Sequence, residues 1–263
     1  TNGFPGFSPQ ISGDFTRENY AVYVDGEWDV TDSILLAAAV RYEDFDDFGD
    51  TTNFKLGANW GITDNFGARA TISTGFKAPT PGQSNASNIS TQNVDGVLVN
   101  QGVIPSTSAV ARLRGGSELD AETSENFTLG VYFSVGEFDV TIDYFDIDVE
   151  DRLSLSNDFS LTDPERVLLT SQGIDASDIS EFRFFTNQFD TNTSGIDLVV
   201  TTDTEWLGGV TTWNLAGNYT DTEVTDRNPD LLGDRRVLLI EDGVPDYRVN
   251  FTANHSMDAW RFL

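Results

Sequence analysis

The sequence of 263 residues has no cysteine and a single histidine, His255. Without cysteine there is no disulfide framework, no thiolate metal site and no cysteine nucleophile. One histidine also excludes a histidine-rich zinc site, and we interpret His255 as a strand-end residue at an interface. We therefore predict no catalytic residue, no metal site and no cofactor.

Long apolar runs are missing and basic residues are few. No segment approaches the roughly 18 consecutive apolar residues that a membrane-spanning helix needs, so the chain can meet a bilayer only as a closed barrel. Against 43 acidic residues stand 15 lysines and arginines, giving a formal net charge of -28. Because phosphate contacts depend on lysine and arginine, this balance excludes a nucleic-acid-binding function.

The residues that are abundant favour strands and turns, with 19 phenylalanines and 23 glycines. Apolar and polar residues alternate; within residues 53–60, for example, Phe54, Leu56 and Ala58 share one face while Lys55 lies on the other. Such alternation indicates one dry face and one wet face. Nine strands are predicted in this way, at residues 17–29, 34–44, 52–60, 67–76, 122–135, 138–156, 181–202, 209–222 and 245–256.

Short and long connections alternate between the predicted strands. The short segments are 29–33, 61–66, 203–208 and 256–259, and the longer ones, rich in Gly, Pro, Asp and Ser, are 45–51, 77–121, 157–180 and 223–244. The five tryptophans all lie near the short segments: Trp28, Trp60, Trp206, Trp213 and Trp260. An aromatic row beside short turns is typical of an outer-membrane β-barrel.

Two finer predictions concern single segments of the chain. Residues 181–202 must form one strand, because a hairpin at residues 190–192 would move the Trp206 turn to the wrong side of the sheet. Within a long connection, Asp163 and Pro164 resemble an N-cap and a first-turn proline, and they predict a helix over residues 163–172.

A soluble β-sandwich would show the same alternation, so strand length and the wet face decide the fold class. Several predicted strands reach the roughly nine to eleven residues of a tilted membrane strand, and the wet face carries ionisable residues in most strands, which suits a polar barrel interior. We predict an all-β, antiparallel, up-and-down transmembrane β-barrel. Because nine strands do not close an even-stranded barrel, we expect residues 1–263 to be part of a larger one.

Four segments, in order, resemble motifs of the TonB-dependent outer-membrane receptors. They are residues 73–80, STGFKAPT; residues 119–130, LDAETSENFTLG; residues 141–152, TIDYFDIDVEDR; and residues 184–197, FFTNQFDTNTSGID. The resemblance implies an outer-membrane barrel of about 22 strands, filled by a plug domain, that imports a scarce nutrient such as a siderophore or oligosaccharide with energy delivered by TonB. It also implies four partners: outer-membrane lipid and lipopolysaccharide, the plug domain, TonB, and a small nutrient ligand. We expect residues 1–263 to be part of the barrel and to contain no plug domain.

The motifs contain five candidate site residues. Gly75 and Gly130 lie on the wet face, where a missing side chain leaves room for a plug or eases strand curvature. Glu122, Asp143 and Arg152 either hold a plug through charge-assisted hydrogen bonds or pair with one another across strands. Ligand contacts are expected in the loops at residues 77–121, 157–180 and 223–244, and the polar segment 85–110 suits hydrogen bonding to sugars or chelates.

An alternative function from another class is a soluble, acidic β-sandwich that acts as an adhesin or carbohydrate-binding module. The acidity then represents a solvated surface rather than carboxylates in outer loops and a lumen that meet cations or divalent-bridged lipopolysaccharide. Its calcium ligands would be Asp44, Asp46, Asp47 and Asp50, although these lack the spacing of an EF-hand loop.

Overall fold

Ten antiparallel strands form one sheet, called the wall below. The computed structural model describes residues 13–47, 49–94, 96–174 and 180–262. In chain order the elements are β1 (Asn19–Thr31), β2 (Ile34–Phe45), β3 (Gly49–Thr63), β4 (Phe66–Lys77), α1 (Pro81–Ser84), β5 (Asn88–Val94), β6 (Val97–Val103), α2 (Ala109–Arg112), β7 (Glu122–Val135), β8 (Phe138–Glu150), β9 (Leu153–Leu155), β10 (Phe159–Ser160), α3 (Asp163–Ser171), β11 (Glu181–Arg183), β12 (Phe185–Asn187), β13 (Phe189–Trp206), β14 (Gly209–Arg227), α4 (Asp234–Glu241), β15 (Tyr247–Met257) and β16 (Trp260–Phe262).

The wall has the strand order β1-β2-β3-β4-β7-β8-β13-β14-β15-β16 and is not closed within the described residues. Its dry face is open: Leu56, Leu129 and Phe251 expose 48%, 49% and 66% of their surface. A sandwich would bury these side chains under a second sheet. The all-β, antiparallel fold predicted from the alternation is therefore confirmed, and the alternative of a soluble β-sandwich is wrong.

In the described ranges, no helix is both long enough and apolar enough to cross a membrane.

Two-residue turns join the strands along one edge of the wall. They connect β1 to β2, β3 to β4, β7 to β8, β13 to β14 and β15 to β16. In the β13–β14 turn, Leu207 and Gly208 have φ angles of 48° and 77°, as a type I′ hairpin turn requires. Trp206 lies next to this turn, whereas Trp213 lies further along β14 and donates a 2.8 Å hydrogen bond from Nε1 to Thr204 Oγ1. The predicted aromatic row beside short turns is confirmed.

The opposite edge carries one short connection and three long ones. Between β2 and β3 there are only residues 46–48, because the strand ladder continues to the Phe45–Gly49 pair. The prediction of a long loop at 45–51 was therefore wrong. Residues 78–121, 151–188 and 228–246 form the long connections, called loop 1, loop 2 and loop 3 below.

Two predicted wall strands were too long at their loop ends. β8 ends at Glu150 and β13 begins at Phe189, since residues 153–155 pair with residues 185–187 in a separate two-stranded sheet. Residues 189–206 are nevertheless one continuous strand, so no hairpin forms at residues 190–192 and the Trp206 turn lies on the edge of the wall that carries the two-residue turns, as predicted. A register shift between Asp190 and Thr191 is a local irregularity in that strand and not a hairpin.

The three long loops pack together into one unit, called the cap below. Loops 1 and 2 share a four-stranded sheet with the order β10-β11-β6-β5, in which β11 and β6 are parallel. The main apolar core lies here, and not in the wall. Its buried members are Ile104, Val110, Ala111, Leu161, Leu169, Phe182, Phe184 and Leu231. The predicted helix at 163–172 is α3, which ends at Ser171 with Gln172 as its C-cap.

Candidate functional site

Gly130 makes room for an ion pair that spans three strands of the wall. Arg69 on β4 pairs in register with Gly130 on β7, which pairs with Asp143 on β8. The Arg69 guanidinium reaches across the glycine and donates two hydrogen bonds to the Asp143 carboxylate, of 2.8 Å and 2.6 Å. A Cβ atom on residue 130 would lie 1.9 Å from Asp143 Oδ1. Any larger residue here must therefore displace the ion pair.

Gly75 serves a similar but looser purpose. A Cβ atom at this position would lie 2.8 Å from Ser124 Oγ, and Ser124 is its register partner on β7. The missing side chain therefore lets a neighbouring hydroxyl fit on the wet face. Whether the open space also receives a plug stays a prediction.

The three charged candidates do not pair with one another in the described part of the chain. Glu122 binds Lys77 Nζ at 3.0 Å and accepts a 2.8 Å hydrogen bond from the Leu153 amide. Arg152 donates from Nη1 to Thr191 Oγ1 at 3.0 Å and lies over the Phe189 ring. Strand register explains why Glu122 pairs with Lys77 and not with another candidate, because Lys77 lies directly opposite Glu122. Their role in holding a plug stays a prediction.

Several basic residues in this acidic chain have a carboxylate partner. Six such pairs occur among the described residues: Arg17–Asp47, Arg41–Glu43, Arg69–Asp143, Lys77–Glu122, Arg114–Glu165 and Arg227–Asp234. Asp47, one of the proposed calcium ligands of the sandwich alternative, is thus engaged by Arg17. Three of the basic residues outside these six pairs lie together in the cap.

Three arginines that have no carboxylate partner in the described part of the chain line one pocket of the cap. Arg183 lies on β11 in loop 2, and Arg235 and Arg236 lie in the first turn of α4 in loop 3. The pocket has a volume of about 310 Å³. Its lining residues are Leu155, Ser156, Asn157, Asp158, Arg183, Arg235, Arg236 and Leu239. The one carboxylate of this lining belongs to Asp158, which accepts a 3.4 Å hydrogen bond from Gln101 Nε2.

The guanidinium groups of the pocket are only weakly satisfied. Arg236 reaches Ser154 Oγ, at 3.4 Å from Nε and 3.3 Å from Nη2. Arg183 Nε is buried and has no hydrogen-bond partner among the described residues. A buried donor without a partner costs free energy, about 1 to 3 kcal/mol for a neutral group and more for a charged one. The pocket is therefore built to gain from an anionic ligand.

The position of Arg235 and Arg236 on the helix adds to this effect. Gly233 is the N-cap of α4, so both arginines lie in its first turn. The N-terminus of a helix carries partial positive charge and disfavours cations. Two arginines here raise the local positive potential, which an incoming anion relieves. The arrangement can bind and orient an oxyanion.

An ion pair joins loops 1 and 2 elsewhere in the cap. Arg114 of loop 1 binds Glu165 of α3 with both Nη atoms, and Glu165 also accepts hydrogen bonds from the Thr162 amide and hydroxyl. The Arg114 guanidinium and then the Thr162 donors lower the pKa of Glu165 from 4.5 to about 2. The carboxylate of Glu165 therefore stays ionised and keeps loops 1 and 2 connected well into the acidic range.

Ligand contacts are predicted in loops only, and one of these, residues 223–244, contains Arg235 and Arg236. Arg183 lies just beyond the predicted loop at 157–180, of which residues 175–179 are outside the described part. The adjacent Arg235 and Arg236 are a visible signal, since two neighbouring arginines are unusual in a chain with this acidity. The polar segment 85–110 contributes β5, β6 and the core residues Ile104 and Val110, and its hydrogen bonding to a ligand stays a prediction.

Comparison with known proteins agrees with this architecture. The family model described as TonB dependent receptor-like, beta-barrel matches residues 1–263. The chain is 29% identical over 133 residues to the ferric enterobactin receptor PirA of Pseudomonas aeruginosa, a match that covers 51% of this chain and 17% of that receptor.

Solved structures show the same fold. The siderophore receptor PirA from Pseudomonas aeruginosa aligns with a TM-score of 0.62 at 19% identity, covering 91% of this chain and 37% of that one. PirA from Acinetobacter baumannii aligns with a TM-score of 0.59 at 16% identity, covering 94% and 33%. The chain thus spans less than half the length of these relatives. It belongs to the TonB-dependent receptor family, within the β-barrel that these receptors place in the outer membrane.

Proposed function

We propose that this chain forms wall and outer loops of an outer-membrane receptor that imports an anionic ferric siderophore, energised through TonB, and that it is a transport receptor and not an enzyme. The observation that carries the proposal is the pocket formed by Arg183, Arg235 and Arg236 in the cap. Relatives described as siderophore and ferric enterobactin receptors support the ligand class.

The chemistry of the pocket fits a chelate whose donor oxygens carry negative charge. Guanidinium groups donate paired, charge-assisted hydrogen bonds to oxyanions. Leu155 and Leu239 line the same pocket and offer an apolar side to the organic part of the ligand. At about 310 Å³ the pocket is at the lower end of the range for small-molecule sites, roughly 300 to 1,000 Å³. It would therefore hold one arm of the chelate.

The other partners follow from the two faces of the wall. The dry face contacts outer-membrane lipid, and lipopolysaccharide lies beside the part of that face nearest the long loops. The wet face meets a plug domain of the full-length protein, through which TonB acts. Glu122 and Asp143 are already used in ion pairs, whereas Lys55 and Arg248 form no ion pair among the described residues. These two residues are the better candidates for contacts with a plug.

Binding of two defined iron complexes to the full-length protein in detergent tests the proposal. Iron(III) tris-catecholate is a trianion, and iron(III) tris-acetohydroxamate is neutral; we expect preferential binding of the trianion. Arg236→Ala should weaken that binding about 10-fold to 100-fold, the cost of one or more hydrogen bonds to a charged group. The control is Arg112→Ala, which removes an exposed arginine of loop 1 outside the pocket.

Three outcomes would contradict the proposal: equal affinity for the two complexes, no binding of either, or equal losses in the Arg236→Ala and Arg112→Ala variants. A gel comparison of boiled and unboiled samples establishes that each variant retains its barrel.

A further inference from the structure

We infer that Asn157 is the positioning residue of the arginine pocket, an inference that rests on the proposed function. Its side-chain amide fixes the start of α4, so that Arg235 and Arg236 are held opposite Arg183. Asn157 belongs to loop 2 and α4 belongs to loop 3, which means that the two halves of the pocket are joined through this residue.

Asn157 makes three hydrogen bonds to the four residues that precede α4. Its Nδ2 atom donates to the Asp230 carbonyl at 3.1 Å, and its Oδ1 atom accepts from the Gly233 amide at 2.9 Å. Its own backbone amide donates to the Leu231 carbonyl at 2.8 Å. The segment 230–233 is therefore bound along its whole length by one residue of another loop.

The N-cap glycine of α4 permits this contact. A Cβ atom on residue 233 would lie 3.0 Å from Asn157 Oδ1, a tight approach. Because Gly233 has no side chain to cap the helix, Asn157 Oδ1 takes one of the free amide groups at the N-terminus. The sequence thus combines a glycine N-cap in loop 3 with a capping amide in loop 2.

The orientation of α4 depends on such anchors. A helix of eight residues is too short to be stable without tertiary contacts. Two other polar anchors tie α4 to β14: Arg227 donates to the Leu232 carbonyl and pairs with Asp234, and Glu241 accepts a hydrogen bond from the Val224 amide. These anchors do not relate α4 to Arg183. Asn157 does, because it lies in the same loop as β11, and its side-chain hydrogen bonds of 3.1 Å and 2.9 Å are shorter than the contacts of 3.4 Å and 3.3 Å that Arg236 makes with Ser154 of that loop.

Asn157 acts through the arginines and not by direct contact with a ligand. Both ends of its side-chain amide are directed to the backbone of loop 3, so its removal changes where Arg235 and Arg236 lie. Misplacing such groups by about an ångström is enough to lower binding or rate strongly. An effect of this kind becomes smaller once Arg236 is gone, because only one positioned arginine of α4, Arg235, is left to be misplaced.

A double-mutant cycle in the full-length protein tests the inference, with iron(III) tris-catecholate as the probe. Asn157→Ala should weaken binding about tenfold, and the same change in an Arg236→Ala background should weaken it less than about threefold further, because residues that act together are not additive. Hydrogen exchange should rise in residues 234–241 and stay unchanged in α3. Asn85→Ala is the matched control, since its Nδ2 atom binds the Pro81 carbonyl within loop 1.

The outcomes separate the two proposals. Suppose that the unaltered protein binds the trianion and that Arg236→Ala weakens this binding. If Asn157→Ala then has no effect on affinity, or lowers the affinity of the double variant by its full single-variant factor, the positioning role is wrong and the proposed function stands. If the unaltered protein fails to bind the trianion, the proposed function fails first. Gly233→Ala is a smaller change that disturbs the same contact from loop 3. It should weaken binding of the trianion, and its effect should not be additive with that of Arg236→Ala. Should Asn157→Ala not fold, full affinity in Gly233→Ala would overturn the inference.

Discussion

The wall and the cap place their apolar side chains in opposite ways. In the wall, Leu129 and Phe251 are about half and two-thirds exposed, whereas in the cap Phe182 and Phe184 are completely buried. The wall satisfies its backbone through strand pairing and turns its apolar face outward, as a bilayer requires. The cap buries a core, as water requires. One chain is therefore folded for two solvents, with the boundary at the loop ends of the strands.

The largest expected effect is the loss of the cap while the wall remains. Phe182→Ala removes a fully buried side chain and should destabilise the cap by about 3 to 5 kcal/mol. Limited proteolysis of the full-length protein in detergent should show new cleavage in loops 1, 2 and 3, with the unboiled gel mobility of the barrel unchanged. If cleavage and barrel mobility change together, the wall and the cap are one cooperative unit and the comparison fails.

A charge placed on an exposed apolar residue distinguishes the two solvents directly. Leu129→Arg in the wall should cost about 2 to 4 kcal/mol, because the charge enters the bilayer. The matched change in the cap is Val167→Arg, which replaces a residue of α3 that is 70% exposed and should cost less than about 0.5 kcal/mol. Denaturant unfolding of the barrel in lipid vesicles measures both. Equal costs would mean that Leu129 does not face lipid.

The smallest effect is a pH dependence confined to the cap. The pKa of Glu165 is lowered from 4.5 to about 2 by Arg114 and Thr162, so the ion pair stabilises the folded cap above pH 4.5 and this contribution is lost as the pH falls toward about 2. The protection of the α3 backbone amides against hydrogen exchange should therefore fall as the pH is lowered across this interval. In the Glu165→Gln variant, the α3 amides should be less protected at neutral pH, and their protection should no longer depend on pH across this interval. An unchanged profile in that variant would assign the pH effect to other carboxylates.

Sequence reasoning predicted the wall well because its signals are local. The period of two, the two-residue turns and the neighbouring tryptophans are each contained within a few residues. The ends of β8 and β13 were misplaced because residues 153–155 and 185–187 have a strand pattern but pair with each other away from the wall. Alternation indicates that a segment is a strand and does not indicate which sheet it joins.

The cap and the pocket depend on contacts between distant residues, which a local pattern does not contain. Arg183 and Arg236 are in separate loops, and contacts between loops 2 and 3, including the shared core and the hydrogen bond from the Gly233 amide to Asn157, bring them to one pocket. Likewise, the partners of Asp143 and Glu122 follow from strand register: Arg69 is separated from Asp143 by a whole intervening strand. Helix α3 was predicted accurately, since its N-cap and proline are adjacent in the sequence.

The parallel pairing of β6 with β11 has a consequence for the order of assembly. It joins Gln101 to Glu181, a separation of 80 residues, whereas each two-residue hairpin of the wall joins its nearest neighbours. Contacts across a long stretch of chain carry a large loop-closure entropy and form slowly. We expect the hairpins to form first and the cap to close last. Until β11 is paired, Arg183 on that strand is not yet held opposite α4, so the arginine pocket is completed only after the hairpins of the wall have formed.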